Sequence, residues 1–491
     1  MDIVIENKTL SSFKPYPART KRVAAGAECV VPDKNEDIGR IVSVKTQILL
    51  KSKDTDADAV TVTGEVEFTV LYITENEDQV SWLNVTSPFR LEYELPEGEF
   101  SAAEIALTAE DGEATAINPR KLSVSARVCG QLVCYAPGEE RGECTPPEVR
   151  GLHTLVRSEE KTVCAAVCEK SFVISQQLRL NDVAASRIVS KSVSFIPAET
   201  QTVGTKLILK GTARAELCIA SDGRCPYTQV YDLPYSQIIE TGAEGIFDCK
   251  ATVEVNSIYA ELIDTINNER AADVEIHAVT QVCAYRSESM AYIADAYSNL
   301  QEIQCDAAAE TVKSRSRTQL WEAAAEGVLD SAPELKEVAV FRGEVASVSV
   351  QEGRVRIIVC ADVIYKTESG TFAALRRYPE AECPLEEGAS VQSCRIAAFE
   401  LTAGEGALDY TLRLAVETVT EGEREIRCID SIALAEEKSF AALPALFLVR
   451  QDGESLWELA KRYHSTVERI EALNPEESRG SGRMLMIART V

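Results

Sequence analysis

Fifteen cysteines, three histidines and 78 acidic residues are the side chains from which this chain could build a metal centre, a nucleophile or an acid–base pair. Their spacing argues against all three. A structural zinc site needs cysteines and histidines paired a few residues apart. No Cys-x-x-Cys occurs, the nearest pair is Cys164 and Cys168, and His153, His277 and His464 stand at no zinc-ligand spacing from any cysteine. A phosphate-cradling G-x-x-x-x-G-K-[ST] loop, a dinucleotide G-x-G-x-x-G turn, a G-x-S-x-G elbow and an H-E-x-x-H helix are all absent. Three histidines leave little scope for general acid–base work at neutral pH. The expectation is no enzyme: no catalytic residue, no metal ligand and no cofactor.

Recognition remains, and its best candidates lie in the last 45 or so residues. Trp457 has two readings, an aromatic platform on a binding face or a core residue of a small domain, and the sequence leaves both open. The elements around it are well marked. An apolar run, Leu446 to Val449, meets the turn Gln451-Asp452-Gly453. Ser455-Leu456-Trp457-Glu458 and Ser465-Thr466-Val467-Glu468 both have the S-x-x-E form of a capping box, which starts a helix. Leu456, Leu459, Ala460 and Tyr463 form one helical stripe, and Val467, Ile470 and Leu473 another. Asn474-Pro475 should stop the second helix, because the residue before proline is pushed out of the α region. Backbone groups near Leu473 should then be free for a partner. A last apolar run, Met484 to Ile487, completes a strand–helix–helix–strand order.

This pattern resembles a LysM domain. Gly453-Glu454-Ser455-Leu456-Trp457, Leu459-Ala460-x-x-Tyr463, Leu473-Asn474-Pro475 and Gly482-Arg483-Met484-Leu485 carry the resemblance. It implies a shallow groove between two loops, with Gly453, Glu454, Ser455, Leu456 and Trp457 on one wall and Leu473, Asn474 and Pro475 on the other. LysM domains usually bind N-acetylglucosamine-containing glycans there. Here Glu454 replaces the usual Asp, Arg450 an apolar strand residue and Ser481 the usual Pro.

The preceding 440 residues look repetitive. Arg40-Ile41-Val42-Ser43 recurs as Arg187-Ile188-Val189-Ser190, 147 residues on (187 − 40). Alternating apolar runs follow at Val60–Ile73, Leu207–Ala220 and Arg354–Lys366. Ser221-Asp222-Gly223 and Thr367-Glu368-Ser369-Gly370 close the last two as turns. Tyr72, Cys218 and Tyr365 are then expected at equivalent places. Three β-rich modules of roughly 147 residues are the economical reading.

Val31-Pro32-Asp33-Lys34-Asn35-Glu36-Asp37-Ile38-Gly39-Arg40-Ile41-Val42 is similar to the opening motif of SPOCS domains, with Asn35-Glu36 where Lys-Pro is usual. SPOCS repeats followed by a LysM domain is the arrangement of SipL-like proteins of endospore-forming Clostridia. The fold class expected is mainly β and multidomain: SPOCS-like repeats over 1–155, 156–305 and 306–443, then a small β-α-α-β LysM domain over 444–491. The resemblance implies a spore-coat scaffold in the mother-cell cytoplasm, at the forespore surface. Its partner would be the coat-basement ATPase, the stage IV sporulation protein A. The alternative is a protein that grips peptidoglycan through N-acetylglucosamine.

Charge sorts these options further. The chain carries 51 basic and 78 acidic residues, a net −27, which argues against a nucleic-acid partner and against charge-driven docking on anionic lipid. From Leu446 to Val491 seven basic residues balance seven acidic ones (7 − 7 = 0), so the body carries the whole excess. No apolar stretch is long enough to span a bilayer, so no membrane insertion is expected. Met1 to Asn7 lacks the basic and apolar regions of a secretory signal, so retention inside the cell is expected, with reduced and mostly buried cysteines.

Overall fold

The computed structural model describes residues 2–490 except 57, 77–78, 96–99, 183, 222–225, 266–268, 330–333, 404–406 and 439–443. Mainly β is what it shows: apart from the tail, every regular element is a strand, and the sheets are antiparallel.

Three antiparallel meanders recur. The first is Ile38–Thr55, Ala59–Thr74 and Val80–Glu94; the second is Ala185–Val203, Lys206–Ser221 and Tyr227–Glu240. The third is Leu335–Gln351, Arg354–Thr367 and Phe372–Arg377, with Glu380–Pro384 prolonging its last strand. Each central strand changes burial pattern along its length. Val60, Val62, Val66 and Phe68 point inward while Thr61, Thr63, Glu65 and Glu67 between them stay partly exposed, but Leu71, Tyr72 and Ile73 are all buried. Alternation means one covered face; a continuous apolar run means two. The second cover comes from the other meanders, because Leu71, Ile73, Val189, Cys218, Ala220, Val340 and Ile364 share one cluster.

Matching irregularities aim side chains into that centre. The register shifts between Ile41 and Ser43, between Ile188 and Ser190, and between Val338 and Val340. The skipped residues, Val42, Val189 and Ala339, all belong to the shared cluster. A bulge re-aims one side chain without ending the ladder. The register also corrects one expectation. Tyr72 faces Ile41, Ile219 faces Ile188 and Tyr365 faces Val338, so Ile219 rather than Cys218 is the counterpart of the two tyrosines. One residue of slip changes the sheet face, and the sequence spacing alone did not resolve it. Of the two expected turns, Thr367–Gly370 closes with a Gly370 N–H bond to the Thr367 carbonyl at 3.0 Å. Asp222 and Gly223 of the other lie outside the described residues.

Each meander is followed by a hairpin with a long closing strand: Lys121–Thr145, Arg270–Ser298 and Leu408–Glu437. These strands pair twice. Lys121–Thr145 takes Arg19–Val30 along its first half and Glu6–Pro15 along its second. Leu408–Glu437 takes Gln319–Leu329 and then Gln301–Arg315. Leu152–Arg179 runs along the whole of Arg270–Ser298. Hence residues 155 and 305, placed from sequence as module ends, lie inside strands Leu152–Arg179 and Gln301–Arg315. The chain changes partners instead between Thr145 and Leu152 and again at Asn299–Leu300. The far ends of the three long ribbons meet in a second centre of Ile5, Leu152, Ile293, Ala296, Ile429 and Ile432.

The tail has the expected element order. Strands Leu446–Arg450 and Met484–Ala488 pair antiparallel, with helices α1 (Leu456–Arg462) and α2 (Val467–Leu473) between them. Leu459, Ala460, Ile470, Leu485 and Ile487 are fully buried at its core. The Ser455 capping box forms on both arms: Ser455 Oγ accepts the Glu458 N–H at 3.2 Å, and Glu458 Oε2 accepts the Ser455 N–H at 2.8 Å. The second box does not form as spaced. Thr466 is the cap of α2, accepting the Arg469 N–H at 3.1 Å, while Ser465 is buried and donates to the Ala488 carbonyl at 2.6 Å.

Candidate protein-docking site

The loop entering α1 begins with Gly453, whose φ of +89° suits only glycine without strain. Gln451 organises it. Its side-chain N–H donates to the Glu454 carbonyl at 3.0 Å, and its Oε1 accepts the Gly480 N–H at 2.9 Å. Among the described residues no hydrogen bond joins Gly453–Trp457 to Leu473–Pro475; the loop is tied to the Gly480–Arg483 turn instead. Glu454 pairs with Arg462 at 2.5 Å. The Glu458 carboxyl, accepting the Ser455 N–H and hydroxyl, sits below its usual range.

The other wall is less open than its sequence implied. Asn474 is extended before Pro475, as expected (φ −129°, ψ 102°). Its side chain, however, is buried and bonded at both ends. Nδ2 donates to the Ile470 and Met486 carbonyls, both at 2.7 Å, and Oδ1 accepts the Met486 N–H at 2.8 Å. Asn474 therefore splices α2 to the last strand. Two nearby carbonyls are also occupied: Arg479 donates to the Asn474 oxygen at 2.7 Å and to the Glu471 oxygen at 3.1 Å. Two of the backbone groups near Leu473, the Glu471 and Asn474 carbonyls, are thus capped by Arg479. Leu456 and Leu473 are half-buried, leaving Gly453, Ser455 and Pro475 exposed.

Trp457 is neither an open platform nor a core residue of the tail alone. Its indole N–H donates to Asp295 Oδ2 at 2.8 Å, and its ring meets Tyr297 edge-on at 4.8 Å. Lys461 reaches both Asp295 oxygens, at 2.6 and 2.9 Å. Burial pushes the Asp295 carboxyl up, but the bonds from Lys461 and Trp457 outweigh it and leave it below the usual range. Tyr297 donates its hydroxyl to the Ser465 carbonyl at 2.9 Å, and Asn299 donates to the same oxygen at 3.1 Å. Strand Arg270–Ser298 of the second module thus ends as a seat for the tail. Asp295, Tyr297 and Asn299 carry no motif that sequence reasoning could have found; their roles exist only once α1 lies on them.

A dense polar cluster in the body is built around the buried Glu104. Glu104 accepts from Tyr135 at 3.1 Å and Thr252 at 2.5 Å and pairs with Lys250 at 2.9 Å, while Cys283 donates to the Tyr135 hydroxyl at 3.0 Å. Burial raises the Glu104 carboxyl, yet Lys250 and the hydrogen bonds bring it below its usual range. Burial lifts the Cys283 thiol far above its ordinary value and Cys164 to about 12. Such thiols stay protonated and are poor nucleophiles. The cluster joins the first two modules. Among the described residues no group of acidic, cysteine or histidine side chains has metal-binding geometry, and no helix is long and apolar enough to cross a membrane.

No curated protein and no solved structure matches this chain. Residues 37–117, which span the first meander and most of the strand after it, match the family model described as SipL, SPOCS domain. That stretch is 81 residues (117 − 37 + 1), and over it the chain is similar to the SPOCS domain of SipL.

Proposed function

We propose that this protein is a non-enzymatic scaffold of spore-envelope assembly that docks a partner protein through its C-terminal tail. The observation that carries the reading is the match of residues 37–117 to the SipL SPOCS domain, which ties the chain to sporulation. The LysM-like tail adds the docking module, and the resemblance supplies the partner: the coat-basement ATPase, stage IV sporulation protein A. The site of action is then the mother-cell cytoplasm at the forespore surface.

The competing glycan reading loses support at two residues. Trp457 is committed to Asp295 and Tyr297, and the Asn474 side chain is buried with both its amide nitrogen and its oxygen bonded within the tail. A shallow sugar groove depends on such aromatic and amide contacts. The test is a pair of titrations with the full chain. Capture of the purified ATPase, together with no binding of N-acetylglucosamine oligomers, supports the scaffold reading; the reverse outcome replaces it with a peptidoglycan-binding protein.

A further inference from the structure

The three meanders are not sealed alike where one meets the next, and the strand register identifies the equivalent residues. In the first meander Trp82 faces Leu71 and Asn84 faces Thr69; in the third Ala374 faces Ile364 and Arg376 faces Asp362. Leu71 and Ile364 are counterparts, because Tyr72 and Tyr365 beside them face Ile41 and Val338 at matching bulges. Ala374 therefore stands where the first meander has Trp82, and Arg376 where it has Asn84. Arg40 and Arg187 are counterparts too, each opening an Arg-Ile-Val-Ser run.

Between the first and second meanders two side chains make the seal. The Asn84 amide donates to the bulge carbonyl of Val189 at 2.8 Å, and the Arg187 guanidinium lies 6.0 Å from the Trp82 ring centre, within reach of a cation–π contact. Between the third and first meanders both are missing. Ala374 offers Arg40 no ring. Arg376 is turned back on Asp362, with Nε and Nη2 on its two oxygens at 2.6 and 2.9 Å. Among the described residues Arg40 makes no hydrogen bond or ion pair, and no side chain donates to the carbonyl of Val42, the counterpart of Val189. A cavity of about 530 Å³ lies there, lined by residues 40–44, 112–115, Asp362 and 374–376. The corresponding cavity beside Asn84 and residues 188–191 is about 250 Å³. Arg40, Glu113, Thr115 and Arg376 are exposed, so the larger cavity opens to solvent.

The sealed junction shows which groups the open one lacks. They are an aromatic ring against the arginine and, two residues on, an amide N–H for the bulge carbonyl. Alternate residues of a strand point the same way, so one extended segment can supply both. Two walls of the cavity are sheet edges, because strands Ile38–Thr55 and Phe372–Arg377 each end their sheet. Open sheet edges are where extended segments of other chains lie down. We propose that the junction of the third and first meanders binds an extended segment of a partner protein carrying an aromatic residue and, two positions on, an asparagine or glutamine. The ring packs on the Arg40 guanidinium in the space that Ala374 leaves, and the amide donates to the Val42 carbonyl. This contact is on the body and is additional to docking through the tail.

The test uses the full chain and a fluorescein-labelled peptide that copies residues 80–86, the chain's own aromatic-x-amide segment, read by anisotropy. Saturable binding is expected. Alanine in place of the peptide's tryptophan should weaken it roughly tenfold, and so should Arg40→Ala in the protein, since each removes one side of the ring contact. Ala374→Trp supplies a ring from within and should abolish binding; if that variant does not fold, as judged by its urea midpoint, the exposed Arg40→Ala decides alone. Arg187→Ala should leave binding unchanged. Absence of saturable binding, equal affinity for the alanine peptide, or wild-type affinity in either folded variant overturns the proposal. Loss of binding with Arg187→Ala but not Arg40→Ala also overturns it, because the peptide has then invaded the sealed junction. So does N-acetyltryptophanamide competing as tightly as the peptide, because the cavity then takes a free aromatic molecule. No ATPase is present in these titrations, so their outcome is separate from that of the proposed function.

Discussion

Trp457 and Asp295, 162 residues apart, are joined by one hydrogen bond of 2.8 Å that fixes the C-terminal tail to the end of the second module's longest strand. Lys461 shares the same carboxylate and Tyr297 packs on the same indole, so four side chains from two units form one joint. The tail is therefore a docked element whose orientation is set by the body.

Trp457→Phe removes the N–H but keeps a ring on Tyr297. The Asp295 carboxylate retains Lys461, so the loss should be limited to about 1 kcal/mol for one hydrogen bond. Faster amide exchange confined to α1 and α2, with the body unchanged, is the expected signature. Uniform exchange changes across all modules would contradict a local joint.

Acid should undock the tail. The folded Asp295 carboxyl lies below its unfolded value, so its contribution is present above the unfolded pKa of about 3.9 and is lost as pH falls through the lower folded value. Trp457 fluorescence is expected to change below about pH 4. Asp295→Asn should show the low-pH spectrum at neutral pH.

The caps of the two helices give a sharper check. Thr466→Ala should cost about 1 kcal/mol, as should Ser455→Ala, because each removes the acceptor for a first-turn N–H. Ser465→Ala acts differently, depriving the Ala488 carbonyl of its donor. Melting of the three variants distinguishes Thr466 from Ser465 as the α2 cap: no effect at Thr466 would restore the sequence-based assignment.

Arg315 and Asp248 form a buried pair at 2.7 Å, with side chains 4% and 5% exposed. Asp248 also accepts the Thr318 N–H at 2.8 Å, and Arg315 lies 4.3 Å from the Tyr285 ring centre. Arg315→Ala leaves an uncompensated buried carboxylate and should cost about 3–5 kcal/mol. A denaturant midpoint within error of wild type would show that the pair contributes nothing.

Glu254, which accepts the Leu107 N–H at 3.1 Å across the interface of the first two modules, has its carboxyl raised by burial to about 8. Folding therefore binds a proton between the unfolded value of about 4.3 and about 8, and stability falls as pH rises through that window. Glu254→Gln keeps the acceptor and loses the titration. Its stability should decline less between pH 5 and 8 than wild type, measured by urea midpoints.

Local physics made several features readable from the chain. The alternation of Val60, Val62, Val66 and Phe68 specifies a strand with one covered face, because side chains alternate across a sheet whatever lies beyond it. Ser455 and Glu458 close a capping box within four residues, and Pro475 forces Asn474 out of the helix by a steric clash with its own neighbour. The choice between Ser465 and Thr466 as a cap already lay beyond local rules. Either hydroxyl can serve, and the Ala488 carbonyl 23 residues away decides by taking Ser465. Contacts at longer range left no mark in the sequence at all. Leu71, Cys218 and Ile364 read as three separate apolar residues, yet they close on one another at a common centre. Trp457 reads as a platform or a core residue, yet Asp295 and Tyr297 make it a joint. Capping, alternation and the proline rule act over a few bonds and are written in neighbouring residues. Docking depends on which distant surfaces the completed sheets bring within a few ångströms, and that is settled only when the three modules have packed.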